Sequence, residues 1–228
     1  EVRAYEAGLK SSWLGNRLRA NVAVFWNDIQ GLQLSNLVVG TNPLTGAATT
    51  VTIVNNVGEA RTRGVEIEVD TVLTTALRAG FTYAFTDAKA LRGTEVTNGT
   101  VFGGNQLVDG AELPRSPRNS AAAFLQLTQP LARWRGLVFE SRLDLTYESR
   151  RFAEIQNLIW ADPRTVINLS AGIRSDRWKA MLWVKNLTNS DEAVNAFRFV
   201  DPVTFRRSAV DYLPRLRQVG GTLTYSFD

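Results

Sequence analysis

Residues 77–86, LRAGFTYAFT, alternate without a break. Leu77, Ala79, Phe81, Tyr83 and Phe85 fall on one side of an extended chain, and Arg78, Gly80, Thr82, Ala84 and Thr86 fall on the other. Successive side chains of a strand point to opposite faces, so this segment is read as a strand with one wholly apolar face. The same period of two recurs at Leu18, Ala20, Val22, Val24 and Trp26, and at Val65, Ile67 and Val69 between Glu66, Glu68 and Asp70. It recurs again at Leu137, Phe139, Ser141, Leu143, Leu145 and Tyr147 between Glu140, Arg142, Asp144 and Glu148. Shorter versions are Tyr5-Ala7-Leu9, Ala121-Ala123-Leu125-Leu127, Ile167-Leu169-Ala171-Ile173, Trp178-Ala180-Leu182-Val184 and Leu223-Tyr225-Phe227, which makes nine expected strands.

Strands of about ten residues exceed the five or six usual in soluble sheets and match what a tilted strand needs to cross a bilayer. The connections are expected to alternate too. Those at 14–17, 72–75, 129–136 and 175–177 are short, and those at 35–56, 88–118, 149–163 and 189–212 are long. Short turns on one side and long loops on the other describe a transmembrane barrel with periplasmic turns and extracellular loops, a rhythm that a soluble sandwich or propeller has no reason to keep. With the last strand ending on the short-turn side, the first of nine antiparallel strands starts on the long-loop side. Bacterial barrels close with even strand numbers, and an open edge in lipid leaves bare backbone groups. The expectation is therefore an antiparallel, all-β barrel segment whose remaining strands precede residue 1.

Aromatic residues near the strand ends, Tyr5, Trp13, Trp26, Trp134, Tyr147, Trp178, Tyr225 and Phe227, are candidates for two interfacial girdles. The polar sides of the strands give a candidate lumen wall: Glu66, Glu68 and Asp70 in one row, Glu140, Arg142 and Asp144 in another. Paired carboxylates also serve glycosidases, but charges that pair across strands or with whatever fills a polar lumen need no catalysis. The chain has neither Cys nor His. That removes disulfides, most zinc sites and any His-based triad, so an outer-membrane protease or lipase is disfavoured and the chain is read as not an enzyme. No cofactor is expected. The net charge of +4 is scattered, which argues against nucleic acid, and no apolar run is long enough for a transmembrane helix. Asp87, Asp109 and Glu112 flank a Gly-rich loop without the spacing of a calcium loop.

Several segments do more than alternate. NNVGEARTRGVEIE at 55–68 resembles the N-x-G-x-A-x-x-x-G-x-E segment late in the barrel of TonB-dependent receptors. YEAGLKSSWLGNRLRANVAVFWNDIQGLQ at 5–33 resembles the strand-turn-strand unit before it, GAELPRSP at 110–117 the G-x-x-L-P-x-x-P loop exit, and VKNLTN at 184–189 the V-x-N-L-T-[DN] strand end. The C-terminus resembles the family's last strand, in which Leu223, Tyr225 and Phe227 would form the signal read by the barrel-assembly machinery; Asp228 after the aromatic departs from the pattern.

The resemblance implies that residues 1–228 are the C-terminal portion of a barrel of about 22 strands closed around a plug, with plug and TonB box outside this sequence. It implies a bacterial outer-membrane receptor, lodged in outer-membrane lipid, for TonB-energised uptake of a scarce solute such as a ferric siderophore, cobalamin or an oligosaccharide. The TonB complex would act through the N-terminal part. Substrate contacts would come from the long loops through Arg92, Phe102, Asn105, Gln106, Trp160, Arg198, Phe199 and Phe205. The alternatives are a passive porin-like channel, which the 55–68 segment does not suit, and a soluble β-sheet binding protein.

Overall fold

In the computed structural model the described residues are 1–94, 107–134, 136–200 and 206–227, with the side chains of 34–39, 48–52, 55, 57, 199, 200 and 207 outside the description. Every described element is a strand, turn or irregular segment. The strands are β1 (Val2–Trp13), β2 (Leu18–Thr41), β3 (Ala48–Val72), β4 (Leu77–Gly93), β5 (Asn119–Pro130), β6 (Val138–Glu148), β7 (Arg151–Phe152), β8 (Trp160–Ala161), β9 (Arg164–Arg174), β10 (Trp178–Lys185), β11 (Asn195–Val200), β12 (Arg207–Tyr212) and β13 (Gln218–Tyr225).

Nine of them form one antiparallel sheet in the order β1-β2-β3-β4-β5-β6-β9-β10-β13, and these nine are the alternating segments of the sequence. The remaining four are two hairpins, β7-β8 and β11-β12, each lying within a long connection. Consecutive sheet strands are therefore neighbours in space, an up-and-down meander of the kind from which membrane barrels are built.

The register carries the alternation across the whole sheet. Leu9, Val22, Ile67, Tyr83, Ala121 and Tyr147 stand opposite one another from β1 to β6, and Leu125, Leu143, Leu169, Val184 and Val219 do so from β5 to β13. Among the described residues nothing packs over this face: Leu182 is 72% exposed, and Phe81, Leu125, Leu143 and Leu169 are all exposed. On the other face Asn21, Glu68, Thr82, Ala122 and Thr146 stand in a row. A groove of about 620 Å³ runs along it from β1 to β6, lined by Glu6, Lys10, Asn21, Glu66, Glu68, Thr82, Ser120, Thr146 and Glu148. The polar face is thus the concave one and the apolar face the convex one.

Without a second layer, the concave face is consolidated by large side chains lying across glycines. The Phe124 ring covers Gly80, where an added Cβ would come 2.1 Å from the ring, and the Trp183 ring covers Gly220, where it would come 2.3 Å away. Cross-strand ring-on-glycine pairs restore the contact area that a bare glycine forfeits.

Short turns form at 14–17 and 175–177 as the spacing predicts; the second falls at 73–76, one residue later than expected, and the third follows Pro130, since β5 runs on past 129. In the first, Leu14, Gly15 and Asn16 are all left-handed, and Arg17 donates to the carbonyls of Val72 (3.0 Å) and Leu73 (2.8 Å) in the neighbouring turn. One expectation is corrected. Residues 35–56 are not an irregular loop but the extension of β2 and β3, which stay paired from Ser35↔Val54 to Thr41↔Ala48. Both arms are rich in β-branched residues, LSNLVVGT and ATTVTIV, which favour extended backbone. The turn is confined to 42–47, where Asn42 Oδ1 accepts from the Leu44 N–H (2.9 Å). Strand β4 likewise continues past 88 to Gly93.

Candidate functional site

All six expected lumen-wall residues lie on the concave face, in two groups. Toward the long-loop side Glu66 and Glu68 project into the groove, and Glu68 accepts from Asn21 Nδ2 at 3.0 Å. Asp70 pairs with Arg78 at 3.2 Å. Toward the short turns Glu140 receives Arg174 at 2.7 Å and Lys179 at 2.6 Å, so two cations share one carboxylate. Between them Arg142 pairs with Asp144 at 2.7 Å, donates to Gln126 at 3.1 Å and lies 4.3 Å from the centre of the Phe124 ring. The sequence places Arg78 on a polar strand face but does not mark it, Arg174 or Lys179 as a partner of these carboxylates. What identifies them is cross-strand register, which no single strand carries.

The long connections meet above the sheet and make a small core of their own. Ala90, Val108 and Ile155 are buried together, with Ala111 and Leu113 packed against them. Asn157 ties two connections by accepting from the Glu112 N–H (2.7 Å) and donating to the Glu112 carbonyl (2.9 Å), while the Arg115 N–H donates to the Phe152 carbonyl (2.8 Å). Glu154 is the hub. Its Oε1 accepts from the Leu158 and Ile159 N–H groups, and its Oε2 accepts from the Gln156 N–H (3.1 Å) and from Arg198 of β11 (3.0 Å). The Arg198–Glu154 pair is largely shielded, with side chains 11% and 19% exposed, so the β11-β12 hairpin is held against the 149–163 connection. Glu192, at the base of that hairpin, has its carboxyl held below the usual range by the Ser190 hydroxyl and then by its own backbone.

Of the residues expected to contact substrate, two stand on neighbouring strands. Trp160 of β8 and Arg198 of β11 lie on elements in contact. Trp160 meets Phe152 edge-on at 6.4 Å, carries the Arg150 guanidinium 4.8 Å above its ring and donates to Asp162 at 3.1 Å. Arg92 stands apart, pairing with Glu59 at 2.7 Å beside the bulge between β3 and β4. Phe102, Asn105, Gln106 and Phe205 lie outside the described residues, and of Phe199 only the backbone is described, opposite Ser208. Leu223 and Tyr225 continue the apolar face opposite Ala180 and Trp178, and the Tyr225 and Phe227 rings meet edge-on at 4.9 Å.

The motif residues have physical jobs. In the 55–68 segment Gly58 has φ +139 and lies where a Cβ would come 1.8 Å from the Arg92 carbonyl oxygen. Ala60 is 1% exposed, so nothing larger fits, and Gly64 lies under the Phe25 ring and against the Phe85 carbonyl. Asn186 of the 184–189 segment is buried with φ +52; it donates to the carbonyls of Ser190 (2.8 Å) and Arg215 (3.2 Å) and accepts from the Ser190 N–H (2.9 Å). The family described as TonB dependent receptor-like, beta-barrel matches residues 1–187. The chain belongs to this family. Solved structures of uptake proteins share the fold as well. The ferric yersiniabactin uptake receptor FyuA from Yersinia pestis superposes with a TM-score of 0.73 at 17% identity, over 100% of this chain and 30% of that one. The siderophore receptor PiuA from Acinetobacter baumannii gives 0.65 at 16% identity, over 98% of this chain and 28% of that one. The copper transporter OprC gives 0.66 at 17% identity, over 99% and 31%. The chain thus spans less than a third of the length of each of these three proteins.

Proposed function

We propose that this chain is the C-terminal wall of an outer-membrane receptor that takes up a scarce solute with energy from TonB. The observation that carries the reading is the family match over residues 1–187, whose motif glycines and alanine occupy positions in the sheet that no larger residue fits. The convex apolar face meets lipid, and the concave face lines the lumen, where its carboxylates and cations meet a plug supplied by the rest of the receptor. The last strand, through Leu223, Tyr225 and Phe227, engages the barrel-assembly machinery. TonB acts through the N-terminal part.

The rim is where the solute is chosen. Trp160 with Arg150 above it offers an aromatic and cationic surface, and Arg198 is fixed nearby by Glu154. Such groups suit an anionic, partly aromatic ligand, as catecholate and phenolate metal chelators are, more than a neutral sugar. Phe102, Asn105, Gln106, Phe199 and Phe205 are proposed to complete the surface, with Arg92 at its edge.

The test is uptake of radiolabelled ferric siderophores by iron-starved cells of a strain carrying the whole receptor, against its deletion and against a TonB-deficient background. Uptake that requires both the receptor and TonB is the expected result. Uptake that needs the receptor but not TonB would instead make the protein a passive channel.

A further inference from the structure

The convex face does not stay apolar along its full height. On β1 and β2 the apolar stripe ends at the paired aromatics Tyr5 and Trp26. Trp26 is eight residues from the start of β2, roughly 20 Å above the short turn for a strand tilted as in membrane barrels. Beside Trp26, at the same level, are Arg63 and Asp87; one step further from the turn, Arg3, Asp28, Arg61 and Lys89 stand opposite one another. The last convex residues of β6, β9 and β10 are instead Tyr147, Thr165 and Val184, so among the described residues the charged band is confined to the β1–β5 sector.

The band is ordered by its own contacts. The Arg61 and Arg63 guanidinium groups lie 4.4 Å and 5.3 Å from the Trp26 ring centre, and Arg61 is also held by Asp28 at 2.7 Å. Asp87 is shared by Arg63 (3.0 Å), Lys89 (3.4 Å) and Arg118 (3.8 Å), and Arg118 reaches Glu112 at 3.3 Å. Three cations therefore converge on two carboxylates, on the side of the sheet away from the lumen.

We infer that this sector binds the phosphorylated headgroup of a lipid in the leaflet on the long-loop side. The inference rests on the proposed reading that the convex face meets lipid. A lipid whose chains cover Leu9, Val22 and Ile67 places its headgroup at Arg61, Arg63 and Lys89, because these residues continue the same stripe past the aromatic girdle. Arginine presents a planar fork that matches phosphate oxygens, and the indole of Trp26 holds two such forks at the level where phosphates lie. The carboxylates keep the cations extended along the surface, so a phosphate exchanges into an existing hydrogen-bond network.

The test uses the whole receptor, extracted from outer membranes in mild detergent and examined by native mass spectrometry with added lipid A, either carrying both phosphates or stripped of them. The phosphorylated form should be retained roughly tenfold better or more, and the R61Q/R63Q double variant should lose that preference. Heat-dependent gel mobility checks that the variant is folded, and the single variants R3Q and K89Q, each exchanging a peripheral charge, should lose part of the preference if the double variant does not fold. An excess of inorganic phosphate should leave the lipid bound. Equal retention of the two lipids, indifference to all three variants, or complete displacement by inorganic phosphate overturns the inference. A receptor that does not fractionate with outer membranes at all overturns the lipid-facing reading itself.

Discussion

Asn186→Ala is expected to destabilise the assembled barrel by about 3 kcal/mol or more, combining lost hydrogen bonds at buried groups with an alanine forced into a left-handed conformation. Asn186 is 4% exposed. Its amide holds Ser190 from both sides and the Arg215 carbonyl, while its own N–H donates to Asn168 Oδ1 at 3.0 Å. It is therefore the knot that fixes where β10 ends and where the chain returns into β13. Next to it, Asn189 Oδ1 accepts from the Arg217 N–H at 2.9 Å, extending the same junction. Asn186→Gly relaxes the backbone at φ +52 but still lacks the side chain, so it should fall between the two and separate the hydrogen bonds from the strain. The measurement is the urea midpoint of the whole receptor folded into lipid vesicles. A midpoint for Asn186→Ala within error of the wild type would show that the junction contributes nothing.

The second large effect is expected at Leu143, in the middle of β6. It stands between Leu125 and Leu169 on the convex face and is exposed there. Leu143→Arg should cost about 2–4 kcal/mol, the penalty for a cation facing lipid near the bilayer midplane. Thr146→Arg on the same strand, facing the concave groove, should cost much less, because that face already carries Glu148 and Arg142. The contrast between the two is the decisive quantity. Equal costs at both positions would mean that the two faces do not meet different solvents.

The strands were legible because each carries its own evidence. Leu77 to Thr86 states its two faces without reference to any other residue, and the same holds for the eight other members of the sheet. The extension of β2 and β3 was not legible. The bulge at Gly31, with φ +70, breaks the period, and pairing so far from the barrel depends on the partner strand. The lumen wall was half legible: Glu140 could be placed on the polar face, but its partners Arg174 and Lys179 come from the two next strands of the sheet and needed the register. The rim was the least legible. Glu154 is unremarkable as a residue in 149–163, and its role as hub arises from three backbone N–H groups and an arginine more than forty residues away. Loops are placed by tertiary contacts that leave no periodic trace. Asn186 had a visible signal, its place in VKNLTN, but the pattern names a strand end and says nothing of the buried amide.

The most direct test of the central claim follows the two faces residue by residue. The chain has no cysteine, so single cysteines introduced at Leu143, Asp144, Leu145 and Thr146 of the whole receptor can carry spin labels without background from this segment. In reconstituted membranes, labels at 143 and 145 should collide with lipid-soluble oxygen, and those at 144 and 146 with a water-soluble nickel chelate, in strict alternation. Uniform accessibility to the water-soluble reagent along all four positions would contradict a wall set between lipid and lumen.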